Sequence, residues 1–345
     1  MMNNFQLEVV DLNNTAALQE VKDFLTKFSL KMDDVDYTVV IKDENHQIIA
    51  TCSKLFNLIK CVGVDKEYRG YELANKLVTY YLNIINDEYD EAFIITKPEY
   101  NELFQSMGFG SLFENDQIAF LTSRMDKVRD YQAYLSREVK AGINGVIVMN
   151  ANPFTNGHLA LVETAAKQVD NLYLIPVLEN LSFFTYQERK VMIEQGVQDL
   201  VNVKVLNGCP YIISKSVFPS YFLKSSEAVI QAQTQLDANL FVKLFKDPLK
   251  VKKRFLGSEP ISHTTDVYNQ TLTTILEKNN IEVVIIPRVE FNHQPISASK
   301  VRASLVKGDW SLIEKITPLT TVQFLKELDL TPRLKASLDK IYKDN

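Results

Sequence analysis

Glycine, cysteine and excess positive charge are all scarce in this sequence. Eleven glycines among 345 residues is about 3%, against an ordinary share near 7%. Those beside strand ends and turns, such as Gly70, Gly157 and Gly257, therefore mark a few tight backbone sites. The three cysteines, Cys52, Cys61 and Cys209, form no CxxC pair. A disulfide framework or zinc site is not expected, and buried thiols in a reducing, cytoplasmic setting fit best. Lys plus Arg number 38 against 43 Asp plus Glu, a net charge of -5. That balance lacks the basic footprint of a duplex nucleic-acid binder, so any phosphate binding is local. No apolar run approaches the ~20 residues of a membrane helix. The start, Met1 to Gln6, has neither the basic nor the apolar region of a secretory signal. Neither nucleic acid nor membrane is expected as a partner.

Apolar residues make up 46% of the chain and charged residues 23%, ample for packed cores, and the length suggests about two domains. The first expected unit, residues 1–140, is mixed α/β. Strands are predicted at Tyr37–Ile41, Ile48–Ala50, Leu58–Val64 and Ala92–Thr96, with helices near Thr15–Leu30 and through Leu73, Leu77, Tyr81 and Ile84. A charged connecting helix spans Met125 to Lys140. In the second expected unit, residues 141–345, short apolar strands (Val146–Met149, Leu172–Val177, Val203–Leu206, Phe255–Leu256, Val283–Ile286) alternate with helices. One of those helices opens on a Thr185-x-x-Glu188 capping box. Such alternation implies a Rossmann-like parallel sheet covered on both faces, with ligands beyond the carboxyl ends of the strands.

The most informative segment follows the first strand of the second unit: Asn150-Ala151-Asn152-Pro153-Phe154-Thr155-Asn156-Gly157-His158. A strand, a turn and a helix N-terminus place unpaired N–H groups where an anion is favoured. Gly157 allows close backbone approach, Thr155 adds a hydroxyl, and His158 can aim a ring donor at the same anion. Thr155-x-Gly157-His158 resembles the TxGH signature of the nucleotidylyltransferase superfamily. The second signature of that superfamily, ISxSxxR, has its counterpart in Ile296-Ser297-Ala298-Ser299-Lys300-Val301-Arg302. There Ser297 suits an N-cap, Ser299 and its neighbours suit phosphate oxygens, and the Arg302 fork suits a triphosphate or departing pyrophosphate. The resemblance implies attack on the α-phosphate of ATP, carried by Mg²⁺ without a dedicated protein cage. It names Thr155, His158 and Arg302 as catalytic, and Asn150, Asn152, Phe154, Gly157, Ser297, Ser299 and Lys300 as ATP-binding. Arg189, Gly257 and Glu259 join them as ATP-binding candidates, although a solvated helix arginine and a simple turn explain these three equally well.

In the first unit, Arg69-Gly70-Tyr71-Glu72-Leu73-Ala74 follows a strand and opens a helix. It resembles the pyrophosphate-binding loop of GNAT acetyltransferases, and Leu103 to Phe109 resembles a later GNAT segment. Glu72 stands where the middle glycine of that loop belongs, and its carboxylate repels a pyrophosphate. The GNAT-like fold is therefore expected more firmly than acetyl-CoA binding. Arg69, Gly70 and Ala74 are candidates for holding a CoA-type arm, alongside the reading of a domain with no such site.

A GNAT-like domain ahead of a TxGH domain, with the runs Phe218 to Lys224 and Gly257-Ser258-Glu259-Pro260, is similar across nearly the whole chain to the citrate lyase ligase family. What that family implies is an AMP-forming acid–thiol ligase. Acetate attacks ATP to give acetyl-adenylate and pyrophosphate. The thiol of the dephospho-CoA-derived prosthetic group on the acyl carrier subunit of citrate lyase then takes the acetyl group. The implied partners are that subunit or the lyase complex, ATP and acetate, with no tightly bound cofactor. Two alternatives stay open: an adenylyltransferase of a phosphopantetheine-like or other small phosphate ester, and a non-enzymatic CoA- or carrier-binding module. The Phe218–Lys224 run suits either an acetate or pantetheine pocket or core packing.

Overall fold

The computed structural model describes residues 5–70, 72–178, 182–212, 218, 223, 226–258 and 263–335, with the backbone alone for 226 and 263–267. Glu259 and most of the Phe218–Lys224 run lie outside the described residues. Two compact units form, one of residues 1–130 with 217–236 and one of residues 131–216 with 237–345.

In the first unit seven strands form one sheet: β1 (Leu7–Val9), β2 (Tyr37–Lys42), β3 (Ile48–Leu55), β4 (Leu58–Val64), β5 (Phe93–Thr96), β6 (Gly110–Glu114) and β7 (Ala119–Thr122). Their order is β1-β2-β3-β4-β5-β7-β6. Every pairing is antiparallel except β4 with β5. Helices α1 (Thr15–Thr26), α2 (Leu73–Glu88) and α3 (Asn101–Ser106) belong to this unit. Apolar residues at helical spacing on α2, including Leu73, Leu77, Tyr81 and Ile85, pack on Val39, Ile41, Ile59 and Ile94 of the sheet. The Tyr81 hydroxyl donates to the Cys52 carbonyl at 2.8 Å. All three cysteines are free and buried, and burial pushes the Cys61 thiol up to about 12.

Helix α4 (Met125–Glu138) is where the sequence placed a connecting helix, and the division between the units falls inside it, at Asp130/Tyr131. The second unit holds β8 (Asn144–Met149), β9 (Asn171–Pro176), β10 (Val203–Val205), β11 (Val251–Gly257) and β12 (Glu282–Ile286). These five pair in parallel in the order β10-β9-β8-β11-β12. A short hairpin follows, β13 (Glu290–Phe291) with β14 (Gln294–Pro295). The helices are α5 (Asn156–Ala166), α6 (Tyr186–Gly196), the C-terminal part of α7 (Ser226–Phe241), α8 (His263–Lys278), α9 (Ala298–Lys307), α10 (Trp310–Ile316) and α11 (Leu319–Glu327). Ile147, Met149, Leu172, Leu174 and Phe255 bury one sheet face against Val162 and Ala165 of α5 and Val301 and Leu305 of α9.

The two central strands part early. The β8–β11 ladder ends at Val146–Arg254. Beyond it, β8 continues with β9 to Met149–Pro176 and β11 continues with β12 to Gly257–Ile286. A slot thus opens at the carboxyl ends of β8 and β11, the point where strand order reverses and open α/β sheets bind ligands.

Below the slot the central strands close tightly on Gly145, where a Cβ would come within 2.6 Å of the Phe255 ring and 3.1 Å of Val169. Gly145→Ala should cost about 1–3 kcal/mol through overpacking. A urea titration should give a lower midpoint than wild type, and an unchanged midpoint would contradict this packing.

Candidate functional site

The turn after β8 folds back on itself through α5. Thr155 is the N-cap of α5, and its hydroxyl oxygen accepts the His158 N–H at 3.4 Å. His158 occupies the position usually held by Glu or Gln in a capping box. Its Nδ1 accepts the Thr155 backbone N–H at 3.1 Å and lies 2.9 Å from the Thr155 hydroxyl. An Nδ1 that accepts leaves the ring proton on Nε2. Enclosure of the ring, with the Arg288 charge facing it, pushes the His158 pKa down to about 4. The imidazole is therefore neutral near pH 7 and presents an N–H donor. Phe154, fully buried, stacks on this ring at 5.7 Å and 18°. It supports the His158 ring.

The second signature arrives beside the first. Ser297 caps α9 by accepting the Lys300 N–H at 3.4 Å, and its Oγ lies 3.0 Å from the Ser299 Oγ. Arg302, half-buried one turn further, donates from Nη1 to the Asn152 carbonyl at 2.5 Å. Desolvation lowers its pKa from the usual arginine value. A Cβ on Gly157 would meet the Ile296 carbonyl at 3.4 Å, so the two signature segments abut. Lys300 instead turns to the β13–β14 hairpin, with Nζ on Gln294 Oε1 at 2.9 Å and the Pro295 carbonyl at 3.0 Å.

Arg189 is not a solvated helix arginine. It is fully buried, and its guanidinium donates to the carbonyls of Phe184, Asn150 and Val177 at 3.2, 2.9 and 2.9 Å. It ties together the chain leaving β8, the chain leaving β9 and the start of α6. Asn150 is exposed, and its Oδ1 accepts the Ser182 hydroxyl at 3.3 Å. Asn152 is buried, and its Oδ1 accepts the Phe184 N–H at 3.0 Å. Between them Ala151 takes φ 46°, a left-handed strain of order 1–3 kcal/mol for a residue with a Cβ. Gly257 ends β11, and a Cβ there would meet nothing nearer than Leu161 at 4.0 Å.

One residue of the site was missed from sequence. Arg288 follows the carboxyl end of β12, and its backbone N–H donates to Ser258 Oγ at 3.1 Å, which anchors it to the end of β11. The signal was its position just past a strand end, where ligands of parallel sheets bind, but no signature residue flags it. Among the described residues no group of three or more His, Cys, Asp or Glu is placed to hold a metal ion. No helix among them is long and apolar enough to cross a membrane.

The first unit has a separate cavity of about 530 Å³. Ile59, Val62, Ile94, Phe104 and Met107 line it together with Arg69, Gly70, Glu72 and Ala74. It lies where β4 and β5, paired only at Leu58–Phe93 and Ile59–Ile94, part company. Gly70 has φ +97° and Glu72 φ 56°, so the loop keeps a glycine-like conformation even where it carries a carboxylate.

Residues 144–325 match the family model described as the citrate lyase ligase C-terminal domain. A [citrate [pro-3S]-lyase] ligase of Haemophilus influenzae is 36% identical over 90% of this chain and 95% of its own length. The chain belongs to the citrate lyase ligase family. The corresponding ligase of Escherichia coli K12 is 34% identical over 90% of this chain and 91% of that protein. A solved acetyltransferase of the GNAT family from Staphylococcus aureus Mu50 is similar to 34% of this chain and 98% of its own, at 15% identity and a TM-score of 0.28. Nothing about activity follows from a likeness at that level.

A neutral histidine has a consequence for stability. Between about pH 6.5 and pH 4 the unfolded chain takes up a proton that the folded site refuses, so this contribution is fully present above pH 6.5 and is lost as the pH falls to 4. His158→Asn should therefore lose less stability than wild type between pH 7 and pH 4 in paired urea titrations. Parallel pH profiles for the two proteins would contradict the assignment.

Proposed function

We propose that the second unit binds ATP across the turn between β8 and α5, and that the protein activates acetate as acetyl-adenylate. In this reading His158 Nε2, Thr155, the N–H groups opening α5, Ser299 and Arg302 face the phosphates, with Arg288 as a further cation. Asn150, Asn152, Gly157, Gly257, Ser297 and Lys300 shape the surrounding turns, and Mg²⁺ travels on the triphosphate. The observation that carries the reading is the convergence of a neutral histidine donor and a half-buried arginine on one strand-to-helix turn. Such a site works by positioning and charge stabilisation.

An acetate oxygen bonds to the α-phosphorus while the bond from that phosphorus to the bridging oxygen breaks, and pyrophosphate leaves with the electron pair. No general base is needed, because acetate is already ionised. A thiol then attacks the acyl carbon, the bond to AMP breaks, AMP leaves as its anion and the thiol proton passes to solvent. The chain spans nearly the full length of its curated relatives, whose name makes citrate lyase their substrate. We assign the thiol to the prosthetic group on the acyl carrier subunit of that lyase. The cavity beside Arg69, Gly70 and Ala74 is about 530 Å³ and largely apolar, as a pantetheine arm requires, and we assign it to that arm. A bacterial cytoplasm is the compartment that suits reduced thiols and this partner.

Incubation with ATP, Mg²⁺, acetate and deacetylated carrier subunit should yield AMP, pyrophosphate and an acetyl thioester in equal amounts. A dinucleotide product, or no dependence on acetate, would contradict the reading. His158→Ala should lower acetate-dependent ATP–pyrophosphate exchange roughly 10²-fold or more, as removal of a transition-state donor does. A loss under about threefold would remove His158 from its role.

A further inference from the structure

The first turns of α6 hold the loops at the carboxyl ends of three strands. Arg189 donates to the carbonyls of Asn150 and Val177, just past β8 and β9. The Tyr186 hydroxyl accepts the Gly208 N–H at 2.7 Å, and Lys190 Nζ donates to Asn207 Oδ1 at 2.7 Å, both just past β10. The residues that lead into the helix continue the set. The Ser182 hydroxyl donates to Asn150 Oδ1 at 3.3 Å, and the Phe184 N–H to Asn152 Oδ1 at 3.0 Å. Both asparagines of the turn between β8 and α5 therefore take their places from the start of one helix.

That start is fastened from the far end of the chain. Glu188 is the N3 residue of the α6 capping box, and its Oε2 accepts the Thr185 N–H at 2.8 Å. The same carboxylate accepts twice more. Arg333 Nη1 donates to Oε2 and Nη2 to Oε1, both at 2.8 Å, the bidentate form of ion pair. It is largely covered, with the Glu188 side chain 16% exposed and that of Arg333 32%. Arg333 has a fixed base, because Leu330 and Leu334 on either side of it pack into the core that also takes Met192 and Ile193 of α6. A cap needs one side-chain oxygen, which a glutamine supplies as well. The cap alone therefore does not call for the second oxygen or for a guanidinium beside it.

We propose that Arg333 is a positioning residue for the nucleotide site, acting through Glu188 to hold the start of α6 and residues 182–185 against the turn from Asn150 to Asn152. It touches no substrate. The contacts run without a break from Arg333 to Glu188, Thr185, Phe184 and Asn152, whose carbonyl accepts from Arg302. Without the ion pair the capping box remains, but the first turn of α6 opens more often. Asn152 then loses the Phe184 N–H for part of the time, and a nucleotide has to reorder the turn at a cost in affinity. The effect falls on binding rather than on chemistry, since the bound nucleotide restores the same turn. This deepens the ATP reading and rests on it.

The test uses the full-length protein with Arg333→Met, Arg333→Lys, Glu188→Gln and the double variant Glu188→Gln/Arg333→Met. Melting temperatures should stay within about 3 °C of wild type, because a partly exposed ion pair adds little to global stability. The Kd of a non-hydrolysable ATP analogue and the ATP KM in pyrophosphate exchange should rise about 3- to 10-fold in Arg333→Met and Glu188→Gln, with kcat within about twofold. Lysine should recover part of the loss. The double variant should be no worse than the weaker single, as for two residues that act as one pair. Amide hydrogen exchange at Phe184 and Thr185 should quicken about fivefold or more in Arg333→Met while the β8 amides keep their wild-type rates, a contrast that general destabilisation does not produce. That readout needs no nucleotide. A wild type that binds no ATP would fail the ATP reading, and quickened exchange confined to Phe184 and Thr185 would still support the fastening by Arg333. A folded Arg333→Met with wild-type nucleotide affinity would overturn the proposal, as would quickening that reaches β8 to the same degree.

Discussion

The turn from Asn150 to Asn152 is held by two guanidinium groups from opposite ends of the second unit's sequence. Arg189 donates to the Asn150 carbonyl and Arg302 to the Asn152 carbonyl. Hydrogen bonds from a charged donor contribute roughly 1.5–3 kcal/mol each, enough to offset the left-handed strain at Ala151 between them. The Arg302 contact also brings the two distant signatures together.

The same clamp explains the division of labour in the site. The Thr155 backbone N–H fixes the imidazole of His158 in one tautomer, Phe154 stacks on it, and its enclosure and the Arg288 charge keep it uncharged. The permanent charge comes from Arg302 and Arg288, beside a ring that only donates a proton for hydrogen bonding. A cationic histidine would bind the triphosphate of the ground state tightly; a neutral one is free to strengthen as charge moves toward the leaving pyrophosphate.

Much of this was legible in the sequence, for reasons that differ by element. The five parallel strands were legible because each is a short apolar run between helices, and the caps at Thr185 and Ser297 because their hydroxyls sit at fixed offsets from the helices they open. Strand β1 was not legible: it has three residues, mostly exposed, and exists because β2 supplies its partner. The hairpin β13–β14 turns through Asn292 and His293, both at positive φ, a pattern that a lone Asn-His pair does not announce. The burial of Arg189 was missed because a helix arginine is usually solvated, and nothing local reveals that three carbonyls converge on it. Arg288 was missed because its meaning comes from pairing register, which places it just past the tip of β12.

The central claim is that the segments around His158 and Arg302 form one nucleotide site, and a crystal structure with a non-hydrolysable ATP analogue and Mg²⁺ tests it most directly. The account predicts phosphate oxygens within hydrogen-bond distance of His158 Nε2 and the Arg302 guanidinium, at the carboxyl ends of β8 and β11. A nucleotide bound elsewhere on the chain, with this turn unchanged and unoccupied, would contradict it.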